Sequence, residues 1–153
     1  MSDSTASVHS GFGDSVAAAV HSLPHNVALG FEIVSVERGR CVFALQHRDE
    51  FVGNSDTGIL HGGVITSLID VASGTAVYAM VPTGTSVATL DMRIDYLKPA
   101  EPGRRILAEA EVYKMTKNVA FVRAGAYQDA ATNRIAHCAA SFMVGSVGFA
   151  VKG

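Results

Sequence analysis

Cysteine is scarce in this chain, and charge is sparse. Cys41 and Cys138 are the only two cysteines. They form no CxxC pair and no ligand cluster, so they read as two buried free thiols rather than a disulfide or a redox couple. Charged residues make up 17% and the formal net charge is -2, which leaves no broad field to attract nucleic acid or an anionic membrane surface. His9, His21, His25, His47 and His137 are scattered without ligand spacing, so no metal site is expected. A Gly-rich phosphate loop, a GxSxG elbow and a Cys–His nucleophile pattern are all missing. Near the N-terminus, where Asp3 stands, no basic segment precedes an apolar stretch, which predicts no secretory signal and a cytoplasmic location. No cofactor and no nucleic-acid or membrane partner is expected.

What is present is apolar and punctuated. Hydrophobic residues make up 48% of 153, enough for one compact domain with a real core. Residues 1–24 are expected to form an N-terminal segment, frayed over 1–12, with a short helix from Asp14 to Ser22. Val16, Ala19, Val20 and Leu23 lie on one stripe of that helix, and Pro24 ends it. The domain proper is expected over 25–153. Phe31 to Val36 and Cys41 to His47 read as strands joined through Glu37-Arg38-Gly39-Arg40, and Arg48 to Leu60 reads as a loop. A long helix is predicted from Gly62 to Met80, stopped by Pro82 and Gly84. From Ser86 the period becomes two. Ala88, Leu90, Met92, Ile94 and Tyr96 alternate with Val87, Thr89, Asp91, Arg93 and Asp95, and three more strands follow near 105–114, 119–128 and 134–144.

The stretch from Val64 to Val81 is long enough to raise the question of a membrane span. It contains Thr66, Ser67, Asp70, Ser73, Gly74 and Thr75 amid strand-rich sequence, and a helix buried by its own sheet fits better. Two strands, one helix apolar nearly all round and four strands make an α+β layout: an antiparallel sheet wrapped around one long central helix, as in the hotdog fold.

The most informative residues open that helix. Gly58-Ile59-Leu60-His61-Gly62-Gly63 leads into the apolar run that holds Asp70. Glycines at a helix start let a ligand approach backbone N–H groups carrying partial positive charge. A carboxylate among Val, Ile, Leu and Ala needs a reason to be there, because an unpaired buried charge is costly. Amides that stabilise an anion, with an embedded acid, suggest attack on a carbonyl.

His61-Gly62-Gly63, Asp70 nine residues past the His, and Leu90-Asp91-Met92-Arg93-Ile94-Asp95-Tyr96-Leu97-Lys98-Pro99-Ala100 together resemble the PaaI-like hotdog acyl-CoA thioesterases. The resemblance covers about residues 25–145. It implies hydrolysis of an acyl- or aryl-CoA to free acid and CoA. Gly62 N–H would polarise the thioester carbonyl, Asp70 would serve as general base or nucleophile, His61 would line the site and Thr89 would help place the attacking water. Gly63 and Leu60 would lie beside the substrate. In the family an Asn or Gln often stands six residues before the His; here Ser55 holds that place and Asn54 precedes it. Family members form homodimers with shared sites, and the further expectation is a tetramer of two dimers.

Geometry supports the shared site independently. Gly62 and Asp70 are eight residues apart on one helix, about 12 Å, whereas a carbonyl donor and a base must both lie within a few ångströms of one carbon. The strand alternation sets Thr89 with Asp91 and Arg93, away from the helix-facing set, so Thr89 is expected to reach a site only near a subunit seam. Phe51, Ile59, Leu60, Val64, Leu68 and Met80 are candidate pocket liners. Arg93, Lys98, Arg104, Arg105, Lys114 and Lys117 read as solvated surface, with Lys114 and Lys117 as candidates for coenzyme A phosphates. Each site residue also has a plainer reading: Asp70 as an interface acid, His61 as a helix cap, Gly62 and Gly63 as close-packing residues, Thr89 as an ordinary strand position. Two rival functions stand beside hydrolysis, a hotdog dehydratase or hydratase and a non-catalytic acyl-CoA-binding protein.

Overall fold

The computed structural model describes residues 11–145; of the fraying expected over 1–12, the first ten positions lie outside the described residues, and the last two already belong to a helix. Helix α1 (Gly11–His21) and the short α2 (Pro24–Leu29) lead into strands β1 (Glu32–Glu37) and β2 (Arg40–Leu45). A single 3-10 turn (Asp49–Phe51) and the strands β3 (Val52–Asn54) and β4 (Ile59–Leu60) precede helix α3 (Gly62–Tyr78). Strands β5 (Val87–Tyr96), β6 (Ile106–Met115), β7 (Val119–Tyr127) and β8 (Arg134–Val144) complete the described chain. Six strands form one antiparallel sheet in the order β1-β2-β6-β7-β8-β5, and α3 packs across it.

The helix sits close because its bed is small. Ala108, Ala110, Ala124, Ala126 and Ala136 line the sheet face beneath α3, and Ile65, Leu68, Ile69, Ala72, Ala76 and Val77 of the helix are buried against that face. A second strip of α3 keeps Ser67, Asp70, Val71, Gly74 and Tyr78 only half-buried. Those residues recur at three- and four-residue steps, so they share one face of the helix. Among the described residues no helix is long and apolar enough to cross a membrane.

Three local details depart from the pattern read in the sequence. Pro24 opens a second helix at its N1 position, where a missing N–H costs nothing, instead of only closing the first. The predicted loop at 48–60 contains the β3–β4 hairpin, whose strands of three and two residues are too short to show a period. The third lies in β5. Thr89 pairs with Phe142 and Asp91 with Ser141, so Leu90 is an extra residue in the ladder, a β-bulge.

The cysteines are placed as expected, free and buried. Cys41, Ala110, Ala124 and Cys138 are successive partners across β2, β6, β7 and β8. Three strand spacings, about 14 Å in all, separate the two sulfur-bearing residues, beyond the reach of a disulfide.

Candidate active site

The bulge decides where Thr89 points. Paired residues of an antiparallel ladder project to the same face, and Phe142 is buried under α3. Thr89 therefore faces the helix, together with Met92 and Ile94, while Asp91 and Arg93 face away. The strict alternation read from the sequence slips by one residue at Leu90, which is 51% exposed. The expected grouping of Thr89 with Asp91 and Arg93 is corrected: its hydroxyl donates to Asp70 Oδ1 of its own chain at 2.8 Å.

Asp70 is the one charged residue of α3. It sits half-buried on the strip of α3 that meets Thr89 of β5. Oδ1 accepts from Thr89, and Asp70 lines a cleft of about 720 Å³ bounded by α1, α2, α3 and β5. Cys138 lies near enough on β8 that, after burial itself, the negative charges of Asp70 and Asp91 push its thiol up, to about 11. Burial drives Cys41 to about 12. Both thiols stay protonated at neutral pH, so neither supplies a thiolate nucleophile.

The start of α3 is ordered by a set of hydrogen bonds. The His61 ring accepts the Gly63 N–H at Nδ1 over 2.9 Å, and the His61 carbonyl accepts the Val64 N–H over 3.0 Å. The Tyr96 hydroxyl donates to the Gly62 carbonyl at 2.6 Å and lies 2.6 Å from the Thr66 hydroxyl. Thr66 reaches the same carbonyl at 3.1 Å. Among the described residues the Gly62 N–H has no partner. The first turn thus presents one free donor, held by neighbours whose own groups are occupied. A Cβ at position 62 would come within 3.2 Å of the Tyr96 hydroxyl, so glycine here also makes room for Tyr96.

The β3–β4 hairpin packs on this start. Gly53 lies so close to His61 that a Cβ would meet its Cα at 2.8 Å. Asn54 and Ser55 are exposed in the hairpin turn, and Asn54 Oδ1 accepts the Asp56 N–H at 3.0 Å, closing an Asx turn. Leu60 is buried at the foot of the hairpin and Gly63 is exposed against the His61 ring. None of the six apolar residues named as pocket liners borders the cleft beside Asp70; Phe51, Leu60 and Leu68 belong to the core instead.

Most of the surface cations are already engaged. Arg93 pairs with Asp95, Arg104 bridges Glu101 and Asp129, Arg105 meets Glu32, and Lys98 donates to Asn133. Lys114 and Lys117 are exposed and have no partner among the described residues. They belong to the β6–β7 hairpin end, which adjoins Val144 and so the Val87 end of β5. Tyr96 and Gly62 occupy the other end of that strand.

Within one chain, then, Asp70 and Thr89 come together near one end of β5, and Gly62, His61, Gly63 and Tyr96 come together at the other. Tyr96 was visible in the sequence only as part of a motif. Nothing local ties it to a residue 34 positions earlier. Ser67, the nearest hydroxyl one turn before Asp70, donates to the Gly63 carbonyl at 3.0 Å.

Comparison with known proteins adds four findings. The family model of the thioesterase superfamily matches residues 57–133, a span that includes Gly62, Asp70, Thr89 and Tyr96. The medium/long-chain acyl-CoA thioesterase YigI of Escherichia coli K12 is 32% identical over 139 residues, covering 82% of this chain and 88% of that protein. A solved Pseudomonas aeruginosa structure is 34% identical with a TM-score of 0.77, over 86% of this chain and 98% of the other. The E. coli PaaI protein shares the fold at 21% identity, with a TM-score of 0.75 over 92% of this chain and 93% of its own.

Proposed function

The chain belongs to the thioesterase superfamily, with the hotdog architecture of PaaI, and on that premise we propose that it hydrolyses acyl-CoA thioesters to the free acid and coenzyme A in the cytoplasm, without a cofactor. The observation that carries this reading is the Asp70–Thr89 pair, a lone carboxylate on an apolar helix held by a hydroxyl at the edge of a cleft. Asp70 Oδ2 takes a proton from water as the water oxygen attacks the thioester carbon. Thr89, having given its proton to Oδ1, keeps lone pairs that receive the other hydrogen of that water. The oxyanion that forms is met by a Gly62 N–H, positive by virtue of the helix start and already fixed in direction. Collapse breaks the carbon–sulfur bond, and the proton held by Asp70 goes to the departing CoA sulfur. His61 serves this step by occupying the Gly63 N–H and steadying the turn. Asn54, Ser55, Gly63 and Leu60 border the approach to Gly62.

Because about 12 Å of helix separates Gly62 from Asp70, the two halves of one site come from two subunits. The topology favours that arrangement. Strand β5 is an edge strand, hydrogen-bonded to β8 alone, and it leaves Leu90, Tyr96 and Leu97 about half exposed. Tyr96 grips Gly62 at one end and Thr89 grips Asp70 at the other. Two β5 edges paired antiparallel about a twofold axis would bring the Tyr96 end of one copy to the Thr89 end of its partner. Gly62 of the partner subunit then serves Asp70 of this one, and two such dimers can associate as a tetramer. Lys114 and Lys117, free at the Thr89 end, are suited to the CoA phosphates.

A dehydratase or hydratase would need a histidine working with the acid. Among the described residues no histidine is bonded to Asp70, and the His61 ring is committed to Gly63. Release of free thiol from a panel of acyl-CoAs tests the proposal directly, with hydration of an enoyl-CoA measured alongside. Thiol release without hydration is the expected result; hydration without thiol release would overturn it. Thr89→Ala is expected to lower kcat roughly tenfold or more, as for loss of a hydrogen bond to a charged group, while KM changes by less than about twofold. Equal, small changes in both constants would make Thr89 a structural residue.

A further inference from the structure

The bare amide of Gly62 is anchored on both sides. Its N–H belongs to the His61–Gly62 peptide, and that side is tied to the turn before β3, because the His61 N–H donates to the Phe51 carbonyl at 2.8 Å. The next peptide, Gly62–Gly63, is tied to β5, because the Tyr96 hydroxyl donates to its carbonyl at 2.6 Å. In an α-helix that carbonyl already takes the backbone N–H four residues on, and the Thr66 hydroxyl reaches it at 3.1 Å as well. The Tyr96 hydroxyl therefore relieves no orphan acceptor. What it adds is a fixed distance between the helix start and β5.

Gly62 and Gly63 have need of that anchor. Neither adopts a positive φ, so the backbone does not demand glycine at either place. A first turn built on two glycines has no side chain to limit its freedom. The Tyr96 ring stands where the missing side chain would be: a Cβ at Gly62 would meet its hydroxyl at 3.2 Å and its Cζ at 3.3 Å. Thr66 backs the hydroxyl at 2.6 Å. The other end of the same peptide, the Gly63 N–H, is held by His61 Nδ1 at 2.9 Å. The hydrogen bonds thus run in one line from Tyr96 through the peptide to the imidazole, each polarising the next. An oxyanion donor works only when its direction is set before charge develops, within about 0.5 Å of the productive place. Resting on the thioesterase reading of Gly62 and Asp70, we propose that Tyr96 is a positioning residue of the reaction. Its hydroxyl locks the Gly62–Gly63 peptide against β5 and so holds the Gly62 N–H on the line along which the oxyanion forms, with Thr66 steadying that hydroxyl. Tyr96 acts through Gly62 and not on the thioester, so its loss falls on the transition state more than on substrate binding.

Tyr96→Phe keeps the ring over Gly62 and removes only the hydroxyl. It is expected to lower kcat roughly tenfold, as for one lost hydrogen bond, with KM within about twofold of the parent. Thr66→Val is expected to lower kcat about threefold in the same pattern. Positioning is separated from packing in a heterodimer of an Asp70→Asn chain with a Gly62→Pro chain. One site there is whole, and it takes its amide from the Asp70→Asn chain. Tyr96→Phe added to that chain is expected to cut thiol release at least about fivefold more than the same change added to the Gly62→Pro chain. Both placements alter β5 at one seam, so a role in folding or pairing would lower activity equally. Equal losses, or a Tyr96→Phe homodimer with parental kcat, would overturn the positioning role and leave the hydrolase reading standing. If the heterodimer is inactive, the homodimer decides: a lowered kcat with parental KM and Tm upholds the role, and a lowered Tm or a raised KM in step with kcat overturns it. If the parent protein released no thiol from any acyl-CoA, the hydrolase reading would fall and this role with it.

Discussion

Asp70→Asn is expected to lower kcat by at least about 100-fold, the loss typical of a missing general base, with the fold intact. Asparagine matches aspartate in shape, and its side-chain oxygen can still accept from the Thr89 hydroxyl that now lies 2.8 Å from Oδ1. What it cannot do is take a proton from water. Asp70 is half-buried and no part of the apolar core beneath α3, so the substitution leaves that core untouched. The measurement pairs thiol release from an acyl-CoA with a thermal melt of the same preparation. A variant that melts like the parent and turns over at near-parental rate would remove Asp70 from the chemistry. It would also leave the Thr89 contact as a plain packing detail.

The second large effect is a recovery. Asp70→Asn chains and Gly62→Pro chains are each expected to be inactive as homodimers. A heterodimer isolated with two different tags is expected to regain roughly half of parental activity, one intact site of two. Proline is accepted at the first helical position, where it removes an N–H that makes no hydrogen bond within the helix. Here that N–H is the donor without a partner among the described residues. The added ring atoms approach the Tyr96 hydroxyl, which stands 3.2 Å from a Cβ at this position; Tyr96 is 50% exposed and has room to yield. The intact site joins Gly62 of the Asp70→Asn chain to Asp70 of the Gly62→Pro chain. A verified, folded heterodimer with no activity would mean that Gly62 and Asp70 do not meet across a twofold axis.

Much of the fold was readable along the chain because it rests on short-range patterns. The long helix is marked by an unbroken apolar run that starts at two glycines and stops before Pro82 and Gly84, and it forms from Gly62 to Tyr78. Strand β8 falls on the predicted residues, Arg134 to Val144, because its alternation is regular and it pairs on both sides. The helix-capping alternative for His61 was likewise legible, since a side chain just ahead of two glycines reaches the next amides whatever else surrounds it. The separation of Gly62 from Asp70 follows from helix rise alone.

The rest depended on residues far apart in sequence. The bulge at Leu90 leaves no mark in a list of alternating residues, because an extra residue is defined only against the partner strand, here β8. One slipped position turned Thr89 from the outer face to the side chain of Asp70, 19 residues away. Tyr96 holds Gly62 because β5 passes the start of α3 at one end. Which lysines stayed free was settled by where Asp95, Asp129, Glu32 and Asn133 came to rest. The sequence by itself determined the order of strands and helix, the isolated acid and the bare amide, through periodicity and residue chemistry that act locally. Only the tertiary structure decided which hydroxyl meets the acid, what holds the amide and which apolar wall stands opposite Asp70, because those are set by strand register and helix docking between segments that no local signal connects.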